Sequence, residues 1–195
     1  MAKNILNTQN KLFFIEKETK KYQIMIYNTG RSKDLFYEKL KNRNCGKYHQ
    51  TPHYLIDIKG NVDNLIPEIY YSDILDNASL DNKVISVCLE NLGWLRKSPE
   101  TNNYINWIGD IYNGDVSEKK WRNHIFWANY TDKQYKSLKD LLKKICERND
   151  IPYTSPGHNV KIDGVESICG VVSKSNYAEK WTDVNPSFEF DKIFP

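Results

Sequence analysis

The chain has 195 residues, 39% of them hydrophobic and 27% charged, with a formal net charge of +3. That is enough chain for one buried core and too apolar a composition for wholesale disorder. The positive surplus is small and scattered, with Lys17, Lys20 and Lys21 lying among Glu16 and Glu18. It gives no basic stripe of the kind that nucleic acid requires.

In chain order, residues 1–10 are polar and lack the apolar centre of a secretory signal, so synthesis in the cytoplasm without a signal peptide is expected. Residues 1–20 read as an N-terminal extension and 21–195 as one domain. Residues 22–27 (Y-Q-I-M-I-Y) predict a buried strand ended by Asn28, Thr29 and Gly30. Residues 32–41 predict a short helix with Ser32 as N-cap and Leu35, Phe36 and Leu40 roughly on one face. Residues 53–58 and 62–66 predict a hairpin turning at Lys59, Gly60 and Asn61. The almost wholly apolar run 84–89 (V-I-S-V-C-L) predicts a central strand covered on both faces.

Residues 94–127 are polar and aromatic-rich, and predict an insertion at about 94–130 that leaves the core. Thr131 and Gln134 form a capping box, followed by Leu138, Leu141, Leu142 and Ile145 at helical spacing. Asp150, Ile151 and Pro152 stop that helix, and residues 167–172 predict a last strand. Strands separated by helices predict an α/β fold, a central mixed sheet flanked by helices. The cysteines Cys45, Cys88, Cys146 and Cys169 form no close pair; the last three read as buried free thiols in a reducing compartment. No stretch is apolar for long enough to cross a bilayer, so no membrane partner is expected.

The order of segments resembles the type 2 N-acetylmuramoyl-L-alanine amidases, whose fold is shared with peptidoglycan-recognition proteins and small phage endolysins. The resemblance rests on 24–29 (I-M-I-Y-N-T), 53–60 (H-Y-L-I-D-I-K-G), 85–95 (I-S-V-C-L-E-N-L-G-W-L), Trp121 and Arg122 leading to 130–134 (Y-T-D-K-Q), and 181–188 (W-T-D-V-N-P-S-F). It implies a zinc ion held by two His and one Asp or Cys, with a metal-bound water attacking the amide between N-acetylmuramic acid and L-alanine. The first family ligand, the His that opens H-H-T, falls on Tyr27, followed by Asn28. The second, ten residues before the metal Asp, falls on Ser173. The third is Asp183. One carboxylate does not make a zinc site, so the resemblance predicts a degenerate metal centre with no zinc cofactor.

Replacement ligands are few. Cys45, His49 and His53 share helical spacing, but Gly46 and Pro52 argue for a loop carrying half-exposed histidines. His158 lies in a turn, and His124 beside Arg122 and Trp127 reads as structural. A further family His, expected near Tyr71, Ser72 and Asp73, is absent. Glu90 follows a buried strand and predicts a bond to a neighbouring loop. The aromatics Trp94, Trp107, Trp121 and Trp127 either pack the insertion or line a glycan groove. No nucleophile elbow, P-loop or dinucleotide turn occurs. Two functions follow. One is a non-catalytic relative that binds peptidoglycan or another protein, as a phage or prophage component that is virion-associated or released at lysis. The other is an active amidase with a rearranged zinc site, using Asp183 with His49, His53 or His158.

Overall fold

The computed structural model describes residues 3–4, 12–42 and 49–194. Cys45, and with it the Cys45–His49–His53 spacing, lies outside the described residues. The strands are β1 (Lys3–Asn4), β2 (Gln23–Asn28), β3 (Tyr54–Ile56), β4 (Val62–Asn64), β5 (Val84–Leu89), β6 (Trp94–Lys97), β7 (Tyr104–Ile105), β8 (Ile111–Tyr112), β9 (Val116–Trp121), β10 (His124–Ala128) and β11 (Gly170–Ser173). The helices are α1 (Lys33–Asn42), α2 (Ala78–Asp81) and α3 (Asp132–Asn149).

Six strands form the central sheet in the order β1-β4-β3-β5-β2-β11. Strands β3, β5, β2 and β11 run parallel, while β4 pairs antiparallel with β3. Every residue of β2 and β5 is buried, as strands with helices on both faces require. Their side chains alternate between two cores. Ile24, Ile26, Ile85, Val87 and Leu89 pack with Leu138, Leu142 and Ile145 of α3. Met25, Tyr27 and Cys88 share the other core with Phe36 and Leu40 of α1. The mixed sheet flanked by helices is the architecture that the sequence predicts.

Several boundaries differ from the sequence reading. The last strand is Gly170–Ser173, because Val165–Ser167 winds into a short 3-10 turn instead. Cys169 therefore falls just before the strand and is exposed, not buried. Residues 94–128, read as a polar, aromatic-rich insertion with no strands assigned to it, build a five-stranded antiparallel sheet in the order β8-β7-β6-β10-β9. Its strands are short and its turns polar, which hides the period-two pattern. Among the described residues no helix is long and apolar enough to cross a membrane.

The β3–β4 turn is locked to the start of α3. Thr131 Oγ1 donates to the Ile58 carbonyl and Ser137 Oγ to that of Gly60. Thr131 also completes the expected capping box with Gln134. Gly60 has φ +80°, and a Cβ there would lie 2.8 Å from the Lys133 carbonyl oxygen. Gly60→Ala should therefore lower unfolding free energy by about 2 kcal/mol, from left-handed backbone cost plus the clash. A denaturant midpoint unchanged from wild type would contradict this tight seam.

Candidate functional site at the carboxyl edge of the central sheet

Parallel strands deliver their carboxyl ends to one edge, where open α/β sheets place their ligand sites. Tyr27 and Asn28 end β2, Glu90 and Asn91 follow β5, and Ser173 closes β11, with Lys174 opening the 3-10 turn that follows. The loop 177–185 brings Asp183 to the same edge. Alternation decides which side chains meet. Val172 pairs with Met25 on the α1 face, where Tyr27 is the next residue of β2. Ser173 belongs to the other parity.

Lys174 is only 8% exposed. Its Nζ lies 5.4 Å from the centre of the Tyr27 ring and 4.9 Å from that of Trp181. Both ring faces attract the ammonium. Asp183 is its electrostatic neighbour. Burial pushes the Asp183 carboxyl up to about 6, against the opposing pull of Lys174, the Asn28 side chain and Arg122. The Cys88 thiol is pushed well above its ordinary range by burial and the nearby Asp183, so it is no thiolate.

Asn28 and Asp183 begin a chain of buried polar groups. Tyr130 donates its hydroxyl proton to Asn28 Oδ1 at 3.2 Å, and the Asn185 amide donates to the Tyr130 hydroxyl. Asn185 Nδ2 donates to Asn91 Oδ1 and to the Ala128 carbonyl. Asn91 Nδ2 donates to the carbonyls of Ala128 and Asn129. The chain ties the sheet edge to β10 and to the closing loop.

Arg122 supplies the second tie. It and Asn123 occupy the β9–β10 turn with φ +46° and +66°, the left-handed pair of a two-residue hairpin. Its guanidinium donates to the carbonyls of Ser175, Ala178 and Trp181. The second sheet thus grips the loop that carries Asp183.

The remaining candidates are scattered. Ser173 is fully buried, and its Oγ is engaged with Ser175 Oγ and Asn176 Oδ1. His53, read as half-exposed, is 1% exposed, because it precedes β3 inside the sheet; its Nδ1 lies 2.9 Å from Ser86 Oγ and its Nε2 3.0 Å from the Tyr70 carbonyl. His49 stacks on Phe13 and pairs with Asp73. His158 is exposed and accepts from the Val160 amide. His124 stacks on Trp94. Trp127 is buried and Trp121 packs against it, while Trp107 is 49% exposed, donating Nε1–H to the Gly30 carbonyl. Glu90 bonds neighbouring loops as expected, accepting from the amides of Lys33 and Ile58.

The residues at this edge do not fit a zinc ion. The side chains gathered around Asp183 are a phenol, an amide, a guanidinium and an ammonium, and the two cations oppose a third. Among the described residues no three of His, Cys, Asp and Glu are grouped to hold a metal. Reading the sequence misses Lys174, Tyr130, Asn185 and Arg122. All four lie in loops, a hairpin turn or a short 3-10 turn, where no periodicity marks them.

Beside this edge a cleft of about 480 Å³ opens between α1, the β3 end and β8. Its walls include Leu35, Ile58, Leu92, Ile111 and Tyr112, with Glu90, Asn91 and Asn129 among its polar groups. Ile58 and Ile111 are about half exposed.

The sequence profile of N-acetylmuramoyl-L-alanine amidases matches residues 18–171, ending before Ser173 and Asp183. Among solved structures, the fold is similar to AmpDH3 from Pseudomonas aeruginosa in complex with anhydromuramic pentapeptide. That similarity has a TM-score of 0.55 and 14% identity, over 97% of this chain and 64% of the other. It is also similar to the endolysin amidase LysCS from Clostridium intestinale, with a TM-score of 0.50 and 10% identity over 94% and 89%. No curated protein matches the sequence at a significant level.

His53 sets a pH dependence. Burial, helped by the Lys21 charge, lowers its pKa to about 3, so the folded state holds it neutral. The unfolded chain takes up the proton first, near pH 6.5. Its contribution is complete above that pH and is lost as pH falls towards 3. Between pH 7 and 4.5 wild type should lose about 2–3 kcal/mol relative to His53→Gln, at about 1.4 kcal/mol per unit. Equal urea-unfolding differences at the two pH values would refute this.

Proposed function

We propose, from the premise that this chain belongs to the N-acetylmuramoyl-L-alanine amidase family, that it recognises peptidoglycan without the family's zinc hydrolysis. The observation that carries this reading is the composition of the sheet edge. Tyr27 stands where the first ligand is expected, Ser173 where the second is expected, and the retained Asp183 is neighboured by Lys174 and Arg122 instead of a histidine pair. Burial holds the Cys88 thiol and the Tyr130 phenol in their protonated forms, so neither is an activated nucleophile.

The cleft beside the edge supplies the binding surface in this reading. Apolar walls with Asn side chains suit a muramyl peptide, which carries methyl groups, amides and a sugar ring. The bound anhydromuramic pentapeptide of AmpDH3 supports that ligand class. Residues 94–130 then act as an insertion that builds the far wall through Ile111 and Tyr112, on a domain that runs from 21 to 195 behind an N-terminal extension of 1–20. The endolysin relationship supports a phage or prophage component, virion-associated or released at lysis.

Purified protein should co-sediment with peptidoglycan sacculi equally with and without a chelator, and should release no new amino groups from them. Ile111→Arg, at an exposed position, should weaken retention roughly tenfold, the effect of losing one well-placed apolar contact. Chelator-sensitive amine release together with stoichiometric zinc would replace this reading with that of an active amidase. Absence of sedimentation would remove the wall as ligand.

A further inference from the structure

We infer that Trp107 is a sugar-stacking platform: the open face of its indole seats one N-acetylated hexose ring of a glycan at the rim of the cleft. Arg31 and Asp110 bond the polar groups of that ring. The inference deepens the proposed reading and rests on it in taking a glycan polymer as the ligand.

Three observations carry it. The first is exposure. Of the five tryptophans, Trp107 is the one left exposed, at 49%. Trp127 is buried, Trp94 stacks on His124, Trp121 packs against Trp127 and Arg122, and Trp181 lies against Lys174 and Lys180. Trp107 forgoes burial that the other four obtain.

The second is rigidity. Trp107 sits on the turn between β7 and β8, which the fully buried Asn106 locks from within. Asn106 Oδ1 accepts from the amides of Ile108 and Asp110, and its Nδ2 donates to Asp110 Oδ2 at 3.1 Å. On the outside, the indole Nε1–H donates to the Gly30 carbonyl at 2.9 Å. The Arg31 guanidinium covers one ring face, 4.9 Å from its centre, which leaves the other face to a ligand. A ring held in this way loses little freedom on binding.

The third is the chemistry around the ring. A hexose presents C–H bonds on its face and hydroxyls around its edge, so it needs an aromatic face flanked by polar groups. Among the described residues the Arg31 guanidinium has no hydrogen-bond or carboxylate partner, so its N–H groups are available. Asp110, on the wall of the cleft, gives only Oδ2 to Asn106 and keeps Oδ1 for a hydroxyl. Ile108 and Ile111, both exposed, offer apolar contact to an acetamido methyl. The sugar then rests on the rim while the peptide enters the cleft.

The test is calorimetric titration of the full chain with tri-N-acetylchitotriose, a trimer that carries no peptide. Trp107→Ala should weaken binding by about tenfold or more, and Trp107→Phe by no more than about threefold. Phenylalanine keeps a ring face but cannot donate to Gly30, so it separates a platform from a mere pin of the turn. Trp121→Phe, whose ring packs inside the second sheet, should leave the affinity unchanged. A Trp107→Phe loss equal to that of Trp107→Ala would overturn the platform, as would wild type failing to bind the trimer. Should Trp107→Ala not fold, wild type still decides: the trimer should shift the Trp107 indole N–H resonance and leave that of buried Trp127 in place. A shift confined to other residues would overturn the assignment. Trimer binding without sedimentation on sacculi would sink the proposed function alone. Sedimentation unaffected by Trp107→Ala, with no trimer binding, would sink this inference alone.

Discussion

Polar groups at the carboxyl edge of the central sheet cannot be left unpaired, and the whole upper half of the molecule is organised by that requirement. A buried amide without a partner costs about 1–3 kcal/mol. Asn28, Asn91, Asn185 and Ser187 all lie here with less than a tenth of their surface exposed. Each is satisfied by a group from a different segment: Tyr130 from the approach to α3, the Ala128 carbonyl from β10, and the closing loop through Asn185 itself. Such a network is consistent only when all its members are present. It therefore fixes the second sheet, the start of α3 and the loop of Asp183 to one another.

Under the proposed reading, the same requirement explains how this edge holds together without a metal. In a zinc site the ion organises its ligands, and its binding energy is part of the folding energy. Here the organisation comes from hydrogen bonds and from the two cationic side chains. Arg122 reaches the closing loop from a hairpin whose two turn residues both have positive φ. The backbone cost of placing an arginine there is offset by its hydrogen bonds to three carbonyls of the closing loop.

How much of this is legible in the sequence follows from the range of each interaction. The buried strands β2 and β5 and the capped helix α3 depend on local pattern, and their residues reveal them. The second sheet is opaque because strands such as Tyr104–Ile105 and Ile111–Tyr112 are two residues long, too short for alternation to register. His53 misleads for a related reason. Pro52 and the polar run before it suggest a loop, but the Ser86 hydroxyl and the Tyr70 carbonyl draw the ring into the sheet from segments 33 and 17 residues away. Long-range partners of this sort leave no trace in spacing.

The site shows the same limit most clearly at positions 173 and 174. Counting ten residues back from Asp183 lands on Ser173, and a count along the chain has no knowledge of which face a side chain takes. Strand pairing does. Once β11 is set in register against β2, Ser173 stands beside Ile26 on the other face from Tyr27, and Lys174, opening the 3-10 turn beyond the strand, lies over the Tyr27 ring. One residue in a strand is a change of face, and here it changes the chemical reading. What looks in sequence like a ligand replaced by a small hydroxyl is in space a buried serine held by Ser175 and Asn176, with Lys174 packed on the Tyr27 and Trp181 rings. Under the proposed reading, a chain that holds a polymer needs the shape of this edge and not a Lewis acid.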